Sequence, residues 1–277
     1  MKCVFLAGNH LKIHFYLPHS TMKPIRILLF IGLFLVSSYG ISQPTKLVIR
    51  AKAKDAKFIG TGIGGAYVII KNEMTGEILA KGLTTGSSGN TDLILKTPYK
   101  RNDRLTDDKT AKFETSLNIQ EPTFITVEVI APVNRKSSSI KASTQLWLIP
   151  GKNIDEEGIV LDMPGFILDI LEPQTHRILF LEKMADKKVK IKINLTMLCG
   201  CAITKGGVWD SEQIEVKAVV KKDGIRYMEV MLGITSVDNI FEGLLDVSTI
   251  GMYEVQVYGY DRITKNTGVD RINFVIQ

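Results

Sequence analysis

From residue 46 onward the chain is written in steps of two. Leu47, Ile49, Ala51 and Ala53 alternate with Lys46, Arg50, Lys52 and Lys54, with Val48 the one apolar residue on the polar side. Successive side chains of an extended strand point to opposite faces, so this period buries one face of a sheet and wets the other. No amphipathic helix emerges beside it. The fold class predicted is all-β.

Strands are expected at 46–58, 66–71, 78–84, 92–96, 111–118, 123–131, 140–149 and 158–162, then at 166–171, 188–198, 213–221, 225–232, 240–246, 252–260 and 271–276. The segment 178–185 reads equally as strand or short helical turn. Met74-Thr75-Gly76-Glu77 and Asp223-Gly224 carry turn chemistry between strands. Residues 97–110 form a long polar connection, and loops of that length are either functional or mobile. Met163-Pro164-Gly165 interrupts two strand-like runs and is the expected domain boundary. The 277 residues thus divide into an upstream extension and signal (1–43), a first β-sandwich (44–164) and a second (165–277). Domains of about 110 to 120 residues are large enough to bury a core without staples.

The formal charge is +6, but residues 1–43 hold Lys2, Lys12, Lys23 and Arg26 and no acid. Without them 31 basic residues face 29 acidic ones. Neutralising many phosphates takes a concentrated basic surface, so no nucleic-acid partner is expected. Lys23 and Arg26 after Met22, an apolar run over 27–36, and small residues at 38–40 or 40–42 have the order of a secretory signal. The run is shorter than the roughly 20 residues of a spanning helix, and no Cys follows it to take a lipid. The expectation is a periplasmic, extracellular or cell-surface protein with no stable membrane span after cleavage. Residues 1–21 read as an upstream extension and are set aside from the fold.

The first half resembles the carboxypeptidase regulatory-like domains, which have a transthyretin-type sandwich. The matching residues are Gly65-Ala66-Tyr67-Val68-Ile69-Ile70, Thr75-Gly76-Glu77, and Gly82-Leu83-Thr84-Thr85-Gly86 with Gly89. The second half resembles bacterial immunoglobulin-like domains. There Ile170-Leu171-Glu172-Pro173, residues 214–227, Phe241-Glu242-Gly243, and Gly251, Tyr253, Val255, Val257 and Asp261 follow the pattern, as do Asn266-Thr267-Gly268 and Phe274-Val275-Ile276. The resemblance implies two consecutive immunoglobulin-like/transthyretin-like sandwiches, accessory rather than catalytic. It also makes Tyr253 a tyrosine-corner candidate. Cys199-Gly200-Cys201 and the segment through Trp209 fall outside the pattern; Trp209, after Gly206-Gly207, reads as packing over that end.

Catalytic constellations are sparse. Gly60-Thr61-Gly62-Ile63-Gly64-Gly65 spells a dinucleotide fingerprint, but a strand rather than a helix follows it, so it reads as a tight connection. Past residue 43 the sole histidine is His176, which excludes most triads and multi-histidine zinc sites. Asp107-Asp108 and Glu156-Glu157 are paired carboxylates in loops, and Asp261, Asn266 and Asp270 are hard oxygen donors without dense Asp-x-Asp spacing.

One cluster asks for explanation. If the strand from Lys188 continues, Ile191, Ile193, Leu195, Met197, Cys199 and Cys201 share a face, and Met197, Cys199 and Cys201 form a soft-ligand set suited to Cu(I). The same cysteines would otherwise close a strained disulfide, or pack as core while the chain turns at Gly200. The functional expectation is an exported, non-catalytic binding or assembly module, without cofactor, that contacts a larger protein or cell-surface partner. The alternative is a periplasmic Cu(I) or thiol-redox protein acting through Cys199 and Cys201.

Overall fold

The computed structural model describes residues 44–277, and the expected signal segment lies outside them. The described chain is all-β. Seven strands come first: β1 (Thr45–Ala53), β2 (Tyr67–Asn72), β3 (Ile78–Leu83), β4 (Phe113–Leu117), β5 (Thr123–Ala131), β6 (Ile140–Leu148) and β7 (Ile154–Met163). They form two sheets, β4-β1-β7 and β3-β2-β5-β6. All pairs are antiparallel except β1 with β7.

Nine more follow: β8 (Phe166–Glu172), β9 (Arg177–Leu179), β10 (Lys188–Met197), β11 (Ile214–Lys222), β12 (Ile225–Met231), β13 (Gly233–Ile234), β14 (Ile240–Asp246), β15 (Gly251–Asp261) and β16 (Thr267–Ile276). Their sheets are β13-β14-β10-β8 and β12-β11-β15-β16-β9, with β9 parallel to β16. This division of strands between two sheets is that of an immunoglobulin-like sandwich. Tyr253 on β15 is fully buried, and its hydroxyl donates to the Thr249 carbonyl at 2.8 Å, closing a tyrosine corner. The ring stacks on Phe274 with centroids 5.3 Å apart.

Alternation explains most of this. On β10, Val189, Ile191, Ile193, Leu195 and Met197 are buried while the residues between them are not. The ambiguous stretch resolves into both readings, strand β9 followed by a 3-10 turn at Leu181–Lys183. Residues 92–96 correct the expectation. They form a single helical turn, Asp92–Lys96, because Asn90 Oδ1 accepts from the N–H groups of Asp92 and Leu93 and the turn sinks Ile94 into a small cluster with Phe58 and Ala111. The turn chemistry of Asn90 outweighs the β-branched residue at 94.

Only Pro164 and Gly165 separate β7 from β8. Both sandwiches contribute to one continuous apolar cluster, from Leu47 to Ile276. Polar ties cross the same junction. Ser138 Oγ accepts from Leu168 N–H at 3.2 Å, and Asn266 Oδ1 accepts from Gly165 N–H at 2.9 Å.

Candidate functional site

The site grows from the end of β10. Met197 is the last residue of the strand, and its side chain belongs to the shared core. The chain then turns: Gly200 N–H donates to Met197 O at 2.7 Å, and Met197 N–H donates to Cys201 O at 3.1 Å. Gly200 sits at φ 78°, a left-handed conformation that a side chain would strain. Extension through Cys201 is thereby overturned. The turn at Leu198 and Cys199 breaks the alternation, and both residues are buried in succession.

Turning brings the two thiols together. Cys199 and Cys201 are both free, Cys199 buried and Cys201 half-buried, and their side chains hydrogen-bond to each other. That bond, assisted by the backbone N–H and ammonium of Lys57, lowers the Cys199 thiol from 9.0 to about 7 against the opposing pull of burial. The same bond, and burial, push Cys201 up. Physically, the pair surrenders a first proton readily and holds the second more tightly.

The glycine run of the first sandwich faces this pair. Thr61–Ile63 makes one 3-10 turn, after which the chain enters β2, so no helix end is available to hold a pyrophosphate. The glycine at position 60 has a steric reason: a Cβ there would stand 2.3 Å from Gly86 O. Around this contact opens a cavity of about 400 Å³, lined by Lys57, Gly60, Gly62, Ile63, Gly86, Ser87, Ser88, Cys199, Gly200 and Cys201. Two sequence oddities some 140 positions apart, the glycine run and the cysteine pair, thus share one wall-to-wall site. Met197 is not part of its lining.

Other candidates scatter. His176 is exposed between β8 and β9, its N–H bonded to Asn273 O at 2.6 Å, away from the cysteine cavity lining. Asp261 Oδ1 accepts from Ile263 and Thr264 N–H groups, and Asp270 Oδ2 from Ile170 N–H. Asn266 binds backbone through both side-chain atoms. Each of the three is committed to main chain. Among the described residues no group of three or more His, Cys, Asp or Glu side chains converges as a metal cluster. Trp209 packs: it is half-buried, and its Nε1–H donates to Asp55 O at 2.9 Å in the other sandwich.

The paired carboxylates surround a residue that the alternation had placed on a wet face. Arg50 is 1% exposed. Its guanidinium donates to the carbonyls of Thr110 (2.6 Å), Ala111 (3.1 Å), Glu156 (3.1 Å) and Glu157 (3.1 Å). Burial pulls its pKa down, with Glu157, Asp107 and Asp108 opposing. Thr106 Oγ1 adds a bond to Glu157 Oε2 at 2.6 Å, so the far end of the 97–110 connection is anchored.

A second surface escaped the sequence reading. On the solvent face of β3-β2-β5-β6, Leu83 pairs with Tyr67 and Tyr67 with Ile130, while Phe124 pairs with Trp147. Trp147 is 60% exposed on edge strand β6, its ring 5.1 Å from that of Phe124. Its signal lay in parity, since Trp147 falls in step with Lys141, Ser143 and Gln145 rather than with the buried face.

No family model and no curated protein matches the chain. Solved structures with similar outlines include fibronectin(III)-like modules of Clostridium thermocellum CbhA (9% identity, TM-score 0.28, covering 85% of this chain and 94% of that one). A DUF3823 family protein from Bacteroides uniformis aligns at 9% identity and TM-score 0.26, over 84% of this chain and all of that one. The chicken interferon gamma receptor alpha chain aligns at 8% identity and TM-score 0.29, over 84% and 98%. At such values they say nothing of what this chain does, and the fold rests on its own sheet order and register. Among the described residues no helix is long and apolar enough to cross a membrane.

Proposed function

We propose that the chain is an exported, non-catalytic binding or assembly module, with residues 44–164 and 165–277 as its two domains. The first is of the carboxypeptidase regulatory-like, transthyretin-type kind. Its β2-β3 hairpin, with Thr75-Gly76-Glu77 in the connection, supports that reading. Export rests on the charged start and apolar run after Met22 and places the protein in the periplasm or at the cell surface.

The observation that carries the function is Trp147, exposed on edge strand β6 and packed against the half-buried Phe124 of β5. Exposed aromatics with neighbouring aliphatic groups are the usual anchors of protein interfaces, because they remove much apolar area from water at low conformational cost. Charge on this face is already matched. Glu128 meets Lys71 at 3.0 Å and Lys141 at 3.4 Å, which lowers its carboxyl chiefly through the Lys71 bond. The occupant is a protein that lays an apolar segment across the face, extending along the free edge of β6.

A photo-crosslinking residue at position 147, in protein expressed in its native cell, tests this. One discrete protein adduct at 147, absent when the same residue is placed at exposed position 156, is expected. Equal labelling at both positions, or none at 147, overturns the assignment.

A further inference from the structure

The cysteine cavity is distinct from that aromatic face and needs its own account. Two free thiols, one of them buried, flank the turn at Gly200 and line, beside a lysine, a cavity otherwise walled by glycine backbone, two serines and Ile63. Both cysteines thus border one space. A soft monovalent cation suits such a pair, since a two-coordinate ion sits between two sulfurs.

The remaining lining does not suit zinc or calcium. Zinc at a structural site takes four ligands, and calcium takes six or more oxygens; neither count is met here, where no carboxylate or imidazole lines the cavity. Ser87 and Ser88 offer hard, neutral oxygens, unsuited to a soft ion. Met197 is held in the core, outside the lining. The donor set is thus two sulfurs and no more.

We infer that Cys199 and Cys201 form a two-coordinate Cu(I) site at the seam between the sandwiches, with Lys57 offsetting the charge of the bis-thiolate. Binding exchanges the thiol protons for one ion. Both S–H bonds break, two S–Cu bonds form and the protons pass to solvent, while copper enters and remains as Cu(I), so no electron moves. The site is internal to the described chain and independent of the partner surface proposed above.

The test uses the full chain, reduced, freed of metal under anaerobic conditions, and titrated with Cu(I) against the chromophoric chelator bicinchoninate. One equivalent withdrawn by the wild type is expected, with at least tenfold weaker competition in Cys199→Ser and in Cys201→Ser. Met197→Leu keeps wild-type competition. X-ray absorption at the copper edge of the wild-type complex, which requires no variant to fold, should show two sulfur neighbours. Failure of the wild type to withdraw copper overturns the site, whether its thiols are found free or locked as a disulfide. Copper retained by both serine variants, loss of copper in a folded Met197→Leu, or a third sulfur or a nitrogen neighbour in the absorption spectrum overturns it equally.

Discussion

Asn266 Nδ2 donates to the carbonyl of Lys54 at 3.0 Å, binding the β15-β16 connection of the second sandwich to the end of β1 in the first. Its Oδ1 simultaneously accepts from Gly165 N–H, and the residue is wholly buried. One amide thus satisfies a buried donor and a part-buried acceptor at the junction. Together with Trp209 on Asp55 O and the continuous apolar cluster, it ties the sandwiches to each other.

Asn266→Ala is expected to cost about 1 to 3 kcal/mol, because a buried N–H and a part-buried carbonyl lose their partners at once. Chemical denaturation of the full chain measures it. Asn266→Asp should behave almost as badly: the carboxylate still accepts from Gly165 N–H but presents an oxygen to the Lys54 carbonyl. A loss below about 0.5 kcal/mol in both variants would mean that water replaces the amide at no cost.

Arg50 makes a sharper prediction. Arg50→Met keeps the length of the stem and removes every donor, leaving the carbonyls of Thr110, Ala111, Glu156 and Glu157 to find new partners. A loss of about 3 kcal/mol or more is expected. Because two of those carbonyls fix strand-proximal loop backbone around 110–111, limited proteolysis between residues 97 and 110 should quicken as well. Arg50→Lys recovers only part, since an ammonium cannot fork to four acceptors.

Arg50 also shows where the sequence stops being legible. Alternation along β1 is faithful, but the strand is covered on both sides, so Val48, Ile49, Arg50 and Ala51 are buried in a row. Parity identifies which face a residue takes and not what later loops lay over that face. The same holds at the cysteines. Alternation on β10 is readable as far as Met197, and a glycine at 200 announces a turn, yet nothing local says that the turn meets the Gly60 loop. That meeting is a long-range product of the two sandwiches sharing one core. Tyr253 was readable because its bond is local, four residues back to Thr249.

Tyr253→Phe isolates that local bond. The stack on Phe274 and the edge contact with Tyr227 at 5.8 Å survive, while the Thr249 carbonyl loses its donor. A cost of about 1 to 2 kcal/mol is expected, read as a lower denaturation midpoint at unchanged slope. Tyr253→Leu should cost more, as the ring contacts go too.

The thiol pair should leave its mark on stability against pH. Cys199 titrates at about 7 in the folded chain against an ordinary 9.0, lowered first by the Cys201 thiol, while Cys201 is raised by the same bond. Below pH 7 folded and unfolded chains hold both protons and the pair contributes no slope. Between about 7 and 9 the folded pair has lost one proton and the unfolded chain none, so stability rises with pH. Above 9 the unfolded chain sheds both, while the folded pair keeps one, and stability falls again. The difference in denaturation midpoint between the reduced wild type and a Cys199→Ala/Cys201→Ala double variant should therefore peak near the ordinary thiol value. Cys201→Ala alone removes the donor that holds Cys199 down, so alkylation of Cys199 should shift to higher pH in that variant. A difference that stays flat across the neutral and alkaline range, with unchanged alkylation in Cys201→Ala, would mean that the two sulfurs do not share a proton.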